Sequence, residues 1–215
     1  MANQNVDYRV YLVTENYDSG HHNQYMKKIK EALDGGISLL QLRAKHESSK
    51  VFYELAKELR DTAASYHVPL IINDRVDIAL ALDADGIHVG QDDLPASIVR
   101  EIIGPDKILG VSCSTVEEAV KAEQDGADYL GVGSVFRTKT KGDATLIELD
   151  ELTRIKEKVS IPVVAIGGIT QDNVKELLDR NVDGVAVVSA ILSQTDVKKA
   201  AEKLNDKMKK AGSLL

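Results

Sequence analysis

The stretch 70-LIINDRVDIALALDADGIHVGQDD-93 decides the fold. Two apolar runs of strand length, PLIIND (69–74) and GIHVG (86–90), flank a segment that begins a helix near Val76. Strands that are apolar almost throughout, joined through a helix, suit parallel neighbours covered on their outer face. Each run also ends on carboxylates, Asp74 after the first and Asp92-Asp93 after the second.

The same unit recurs outward in both directions. Apolar runs stand at YRVYLVT (8–14), ISLLQLRAK (37–45), ILGVSCS (108–114), YLGVGSVF (129–136), PVVAIGGI (162–169) and GVAVVSAIL (184–192), which makes eight in all. Amphipathic segments lie between them, among them 23–33, 50–66, 116–124, 149–158 and 173–178. Eight strand-helix units in about 200 residues point to an α/β fold closed into a (β/α)8 TIM barrel, with an open doubly wound sheet as the alternative. A weak repeat supports closure: Asp-Gly-Gly (34–36), Asp-Gly (85–86), Asp-Gly-Ala (125–127) and Asp-Gly (183–184) each precede a strand. Glycine there suits a helix end turning through the left-handed region. No linker or low-complexity run divides the chain, so residues 1–215 are expected to form one barrel domain with loose ends at 1–6 and in the terminal AGSLL.

Composition narrows the function. With 215 residues, 43% of them hydrophobic and 28% charged, the chain has ample material for one large core. A formal net charge of −7 offers no extended basic field, which argues against nucleic acid and leaves small molecules as the expected partners. A homo-oligomer stays open. The one cysteine, Cys113, can build neither an internal disulfide nor a zinc cluster. No stretch approaches 18 uninterrupted apolar residues and MANQNVDYRV is no signal peptide, so no membrane partner is expected and the reading is cytoplasmic.

Chemistry in such a barrel sits at the C-terminal ends of the strands. In the second run Ile37, Leu39, Gln41, Arg43 and Lys45 share one face by the two-residue period. That face turns from apolar to Gln, Arg, Lys midway, as an inward face would if it filled the barrel below and met an anion above. The third and fourth runs end on Asn73-Asp74 and Gln91-Asp92-Asp93 at the same rim. Opposed carboxylates there suit magnesium, which takes one or two carboxylates together with waters and phosphate oxygens. The alternative is helix capping. Asp74 and Asp93 are favoured as metal ligands, and Asp92 as a cap for the helix near Pro95.

RTKTKGDATLI (137–147) follows the sixth run, carries Arg137, Lys139 and Lys141, and reads as a lid closing over an anion or as a solvated loop. Gly167 and Gly168 at the seventh strand end would let an oxyanion approach the backbone, where barrels of this class often hold phosphate. His88 reads as a packed core histidine and His21-His22 as solvated. Cys113 has no base beside it, whereas its neighbour Ser112 is placed to hydrogen-bond a ligand.

In this order, QLRAK (41–45), INDR (72–75), HVGQDD (88–93), TKTKGDA (138–144), IGGI (166–169) and VVSAI (187–191) make the chain resemble the thiamine phosphate synthase family over essentially its full length. The resemblance implies a transferase barrel that joins hydroxymethylpyrimidine diphosphate to hydroxyethylthiazole phosphate, releasing diphosphate with magnesium present. It also implies that Gln41, Arg43, Lys45, Asn73, Ser112 and Lys141 contact the pyrimidine diphosphate. Arg43, Lys45, Ser112 and Lys141 would be its catalytic side chains, Asp74 and Asp93 its metal ligands. Thr138, Lys139, Thr140, Gly168, Val188 and Ser189 would surround the thiazole phosphate. Arg137-Thr138 stands where the family often has Pro-Thr, and Ser114 near a position often held by His. Two rivals stay open: a thiazole tautomerase of the same superfamily, and a catalytically silent barrel that binds a phosphorylated metabolite.

Overall fold

The computed structural model describes residues 6–138 and 145–212. Eight parallel strands close in sequence order, β1 Val10–Val13, β2 Leu39–Leu42, β3 Leu70–Asn73, β4 Gly86–Val89, β5 Ile108–Cys113, β6 Tyr129–Val132, β7 Val163–Ile166 and β8 Gly184–Val187. β8 pairs with β1 to complete the ring. The helices are α1 His22–Asp34, α2 Ser49–Ala64, α3 Val76–Leu82, α4 Ala96–Ile103, α5 Val116–Gln124, α6 Leu149–Lys158, α7 Val174–Leu178, α8 Ser189–Leu192 and α9 Val197–Gly212. The closed barrel therefore replaces the open-sheet alternative.

Two apolar layers follow from the strand period. Leu40, Leu42, Leu70 and Ile72 point outward and pack with Ile29, Phe52, Leu55 and Leu59 of α1 and α2. Tyr11, Leu39, Ile71, Ile108, Tyr129 and Val164 point inward and fill the barrel as a second, separate cluster. Ile37 departs from the expected face: β2 begins only at Leu39, and Ile37 packs in the outer layer.

At β6 and β8 the apolar run continues past the strand into another kind of structure. β6 stops at Val132, and Val135 continues into the outer cluster from a loop. The run at 184–192 splits into β8 and the one-turn α8, whose Ala190, Ile191 and Leu192 are all buried. Apolar residues needing cover look alike to a periodicity test whether a strand or a buried helical turn supplies them.

The Asp-Gly repeat serves helix termination at two of its four places. Gly36 and Gly126 are left-handed, with φ 83° and 90°. Gly184 is not; it begins β8, where a Cβ would fall 1.8 Å from the Tyr8 carbonyl oxygen. Aspartates just before strands, two of them from the repeat, close strand pairs at the bottom of the barrel. Asp85, Asp128 and Asp183, each just before an even-numbered strand, accept the backbone N–H of Leu70, Leu109 and Val163 at 2.8, 2.7 and 2.7 Å. Ser38 does the same for Val10 at 3.0 Å. One device thus recurs in all four quarters, satisfying backbone donors where water is scarce.

Candidate active site

The ends of β2, β3 and β4 bring the cationic and anionic residues together. Gln41 is buried on the inner face of β2, and the Arg43 backbone N–H is tied to Thr14 Oγ1 at 3.0 Å. Lys45 reaches across to the next strand end, its Nζ 3.3 Å from Asp74 Oδ2. Asp74 has a left-handed backbone, φ 61°, and its N–H bonds the His88 carbonyl at 2.9 Å, so β3 turns sharply at the rim. A non-glycine residue in that region is uncommon and here aims a carboxylate inward over the mouth. Beside it lies a cavity of about 170 Å3 lined by Lys45, Asn73, Asp74 and Phe52 among others.

Asp93 faces the same point from the loop after β4. Its Oδ2 accepts the Gly90 N–H at 2.7 Å. Partial burial pushes the Asp93 carboxyl above its ordinary range; the Asp74 carboxyl facing it pushes the same way, while the Gly90 N–H and Lys45 oppose the shift. A carboxyl whose proton affinity is raised by burial and by a second carboxyl facing it marks a site that favours a cation. Among the described residues no group of three or more His, Cys, Asp or Glu converges as a full metal cage. Two carboxylates with open positions match the demand of magnesium, a hard ion that keeps waters and takes phosphate oxygens.

Capping does not explain these aspartates. The N-cap of α3 is Arg75 and that of α4 is Pro95, and neither helix has a side-chain cap bond. Asp92 therefore does not cap α4 as expected: Pro95 occupies the cap position itself, leaving Asp92 exposed on the loop. Side-chain caps come instead from Ser48 on α2, Thr115 on α5 and Asp196 on α9.

At the end of β5, Ser112 Oγ lies 2.9 Å from His88 Nε2, and His88 Nδ1 lies 2.9 Å from Tyr129 Oη. Burial pushes the His88 imidazole down to about 4, against a weaker opposing pull from Asp93, so it is neutral at physiological pH. His88 is thus a hydrogen-bonded core histidine, as its mid-strand place suggests. The expectation of solvated histidines at 21 and 22 holds in part: His21 pairs with Asp18, and His22 meets Tyr17 and Glu58. Burial pushes the Cys113 thiol up to about 12, which leaves it protonated and unsuited to act as a nucleophile.

The last strands carry the remaining candidates. Gly167 and Gly168 have φ 102° and 64°, and a Cβ at either would meet Ser134 Oγ at 2.0 Å or the Arg137 carbonyl oxygen at 2.4 Å. Their missing side chains make room for the chain after β6. Thr138 is half-buried on that segment. Val188 leads into α8, and Ser189, the first residue of that turn, borders a cavity of about 550 Å3 shared with Thr170, Lys199 and Lys203. Lys139, Thr140 and Lys141, with most of the expected lid, lie outside the described residues. Sequence reasoning passed over Tyr11 and Tyr129, whose phenols join Gln41 to His88 across the interior.

A family model described as thiamine monophosphate synthase matches residues 10–191. The chain belongs to the thiamine monophosphate synthase family. Thiamine-phosphate synthase of Clostridium tetani is 55% identical over 204 residues, which cover 95% of this chain and 97% of that protein. Thiamine-phosphate synthase of Alkaliphilus oremlandii is 54% identical, covering 96% and 99%. Among solved structures, thiamine phosphate pyrophosphorylase from Pyrococcus furiosus superposes with a TM-score of 0.85 at 40% identity, over 96% of this chain and 98% of that one. As a member of this family the chain is a transferase of thiamine biosynthesis. Among its described residues no helix is long and apolar enough to cross a membrane.

Proposed function

We propose that this protein condenses hydroxymethylpyrimidine diphosphate with hydroxyethylthiazole phosphate, giving thiamine phosphate and diphosphate. One observation carries the reading: Lys45, Asp74 and Asp93 meet at one rim, above Gln41 and Ser112 on the upper halves of β2 and β5. A diphosphate needs cations, and the carboxylate pair beside Lys45 would hold a divalent ion that offsets part of its charge.

The chemistry requires only that a leaving group depart and a nucleophile arrive. The methylene carbon–oxygen bond of the pyrimidine substrate breaks with both electrons going to the diphosphate. The amino-substituted ring shares the resulting positive charge, and the thiazole nitrogen lone pair then forms the new carbon–nitrogen bond. No proton transfer and no protein nucleophile are required, which agrees with the protonated Cys113. Arg43 and Lys45 neutralise the departing diphosphate as its charge grows, electrostatic stabilisation of the transition state. Asp74 and Asp93 would hold magnesium, which when bound supplies further neutralisation of the diphosphate. By family resemblance Lys141 shares that task, Asn73 and Ser112 contact the pyrimidine substrate, and Thr138, Lys139, Thr140, Gly168, Val188 and Ser189 enclose the thiazole phosphate.

The test is thiamine phosphate formation from the two purified substrates, with and without EDTA. Magnesium-dependent product supports the reading. A folded, metal-replete sample that binds the thiazole phosphate yet forms no product would mean that the barrel isomerises or merely binds it. The rim carboxylates and the Gln-Arg-Lys face disfavour that outcome, because a site for thiazole phosphate alone does not need them.

A further inference from the structure

Five side chains form one unbroken row of hydrogen bonds through the barrel interior. Gln41 Nε2 donates to Tyr11 Oη at 2.6 Å, Tyr11 Oη meets Tyr129 Oη at 2.8 Å, Tyr129 Oη meets His88 Nδ1 at 2.9 Å, and His88 Nε2 meets Ser112 Oγ at 2.9 Å. Gln41, Tyr11, Tyr129 and His88 are all buried. The proposed chemistry uses only the two ends of this row.

Proton counting fixes its direction. Burial holds both phenols protonated and the imidazole neutral, so each hydroxyl and the ring has one proton to give. Tyr11 accepts from Gln41, so its proton goes to Tyr129. Tyr129 then gives its proton to His88 Nδ1. His88 must carry its own proton on Nε2 and give it to Ser112 Oγ. The Ser112 proton is left over and points to the barrel mouth, and the Gln41 carbonyl is left over at the other end. Reversing any one bond reverses them all, because a doubled donor or acceptor would leave a buried polar group unpaired inside a dry core.

We propose that Tyr11, Tyr129 and His88 are positioning residues that couple the polarity of Gln41 to that of Ser112, holding Gln41 as an acceptor and Ser112 as a donor toward the bound heterocycle. The coupling itself is a property of the unliganded chain. Only the identity of the heterocycle, an amino-substituted ring with an acceptor nitrogen, rests on the function proposed above.

Nitrogen NMR of the unliganded protein labelled at its five histidines reads the coupling directly. His88 is expected as the Nε2–H tautomer. Gln41→Glu, recorded at about pH 9 so that even a buried carboxyl is ionised, presents only acceptors to Tyr11 and reverses the row, moving the His88 proton to Nδ1. Adding Tyr11→Phe cuts the row, so the double variant returns to Nε2–H. An Nδ1–H wild type overturns the assigned polarity; a tautomer unmoved in Gln41→Glu, or still reversed in the double variant, overturns the coupling. Where Gln41→Glu does not fold, Tyr129→Phe serves: with no phenol to fix Nδ1 the single tautomer gives way to a mixture, and an unchanged Nε2–H signal overturns the proposal. In turnover, Tyr129→Phe is expected to raise KM for the pyrimidine diphosphate about tenfold and leave that for the thiazole phosphate within about twofold. Equal rises would reduce the row to a scaffold. Failure of the coupling reaction would leave the NMR result standing.

Discussion

Gly110→Ala tests the packing on which the interior depends. Gly110 and Tyr129 are directly paired across β5 and β6, and a Cβ on residue 110 would stand 2.1 Å from Tyr129 Cζ and 2.3 Å from its hydroxyl. The ring must retreat by more than 1 Å to reach ordinary contact, yet it has nowhere to go. Tyr129 is fully buried, with the rings of Tyr8, Tyr11 and His88 at 4.9, 5.8 and 5.5 Å. Overpacking of this kind costs about 1–3 kcal/mol. Displacing the hydroxyl also orphans Tyr11 and His88, at about 1–3 kcal/mol for each buried group left unpaired. The expected loss is about 3–9 kcal/mol, a large share of the roughly 5–15 kcal/mol that holds a domain together. For a chain of this size that corresponds to a fall of at least about 6 °C in Tm by calorimetry. Tyr129→Leu clears the space, so the two losses should fall short of additivity by at least about 1 kcal/mol in the double variant. A Gly110→Ala protein melting within about 2 °C of the parent, or strictly additive losses, would refute the packing argument.

Asp93→Asn keeps the acceptor for Gly90 but removes the charge. The Asp93 carboxyl is raised in the folded chain, so its contribution to stability falls as pH rises through the interval between the unfolded and folded values, and the deficit persists above it. In EDTA the variant should therefore melt higher than the parent at pH 7 and level with it at about pH 3, and with magnesium supplied its turnover should fall orders of magnitude below the parent's; a lower melting point at pH 7 contradicts the carboxylate repulsion. Arg100 donates to the carbonyls of Gly104, Lys107 and Gly126 and to Asp128 at the opposite end of the barrel. Arg100→Met should cost about 3 kcal/mol and leave both KM values unchanged, and a KM shift would show that the two barrel ends communicate. Cys113 should resist a disulfide reagent at pH 8 until the protein unfolds; rapid labelling of the native chain would contradict its burial.

Where the sequence is legible, local rules and tertiary packing ask for the same thing. α5 and α6 fall at 116–124 and 149–158 as expected, because each carries acidic residues in its first turn and a buried stripe at helical spacing. The ends of β6 and β8 are illegible for the opposite reason: Val135 and Ala190–Leu192 are buried by loop and helix, and only the tertiary surroundings distinguish those from strand. The Asp-Gly repeat shows a signal read correctly for topology and only in part for cause: Gly36 and Gly126 turn left-handed as expected. Asp85 and Asp183 of the repeat, and Asp128 just after it, also hold the N–H of the preceding strand, a partnership across 15 to 20 residues that no turn rule contains.

The two-residue period tells which face of β2 Gln41 occupies, but not what that face meets. Tyr11 and Tyr129 stand 118 residues apart and touch only because β1 and β6 both turn those positions inward. Their presence nonetheless follows from the same constraint that makes the mouth useful. A barrel interior excludes water, so Gln41 and Ser112 can serve the recognition proposed for them only if every polar group beneath them is also paired. Gln41 has its spare N–H absorbed by Tyr11, Tyr11 by Tyr129, Tyr129 by His88, and the row ends only where Ser112 returns to the mouth. Recognition at the top of the barrel thus dictates two tyrosines and a histidine in its centre, positions that an apolar core would otherwise fill with leucine and valine.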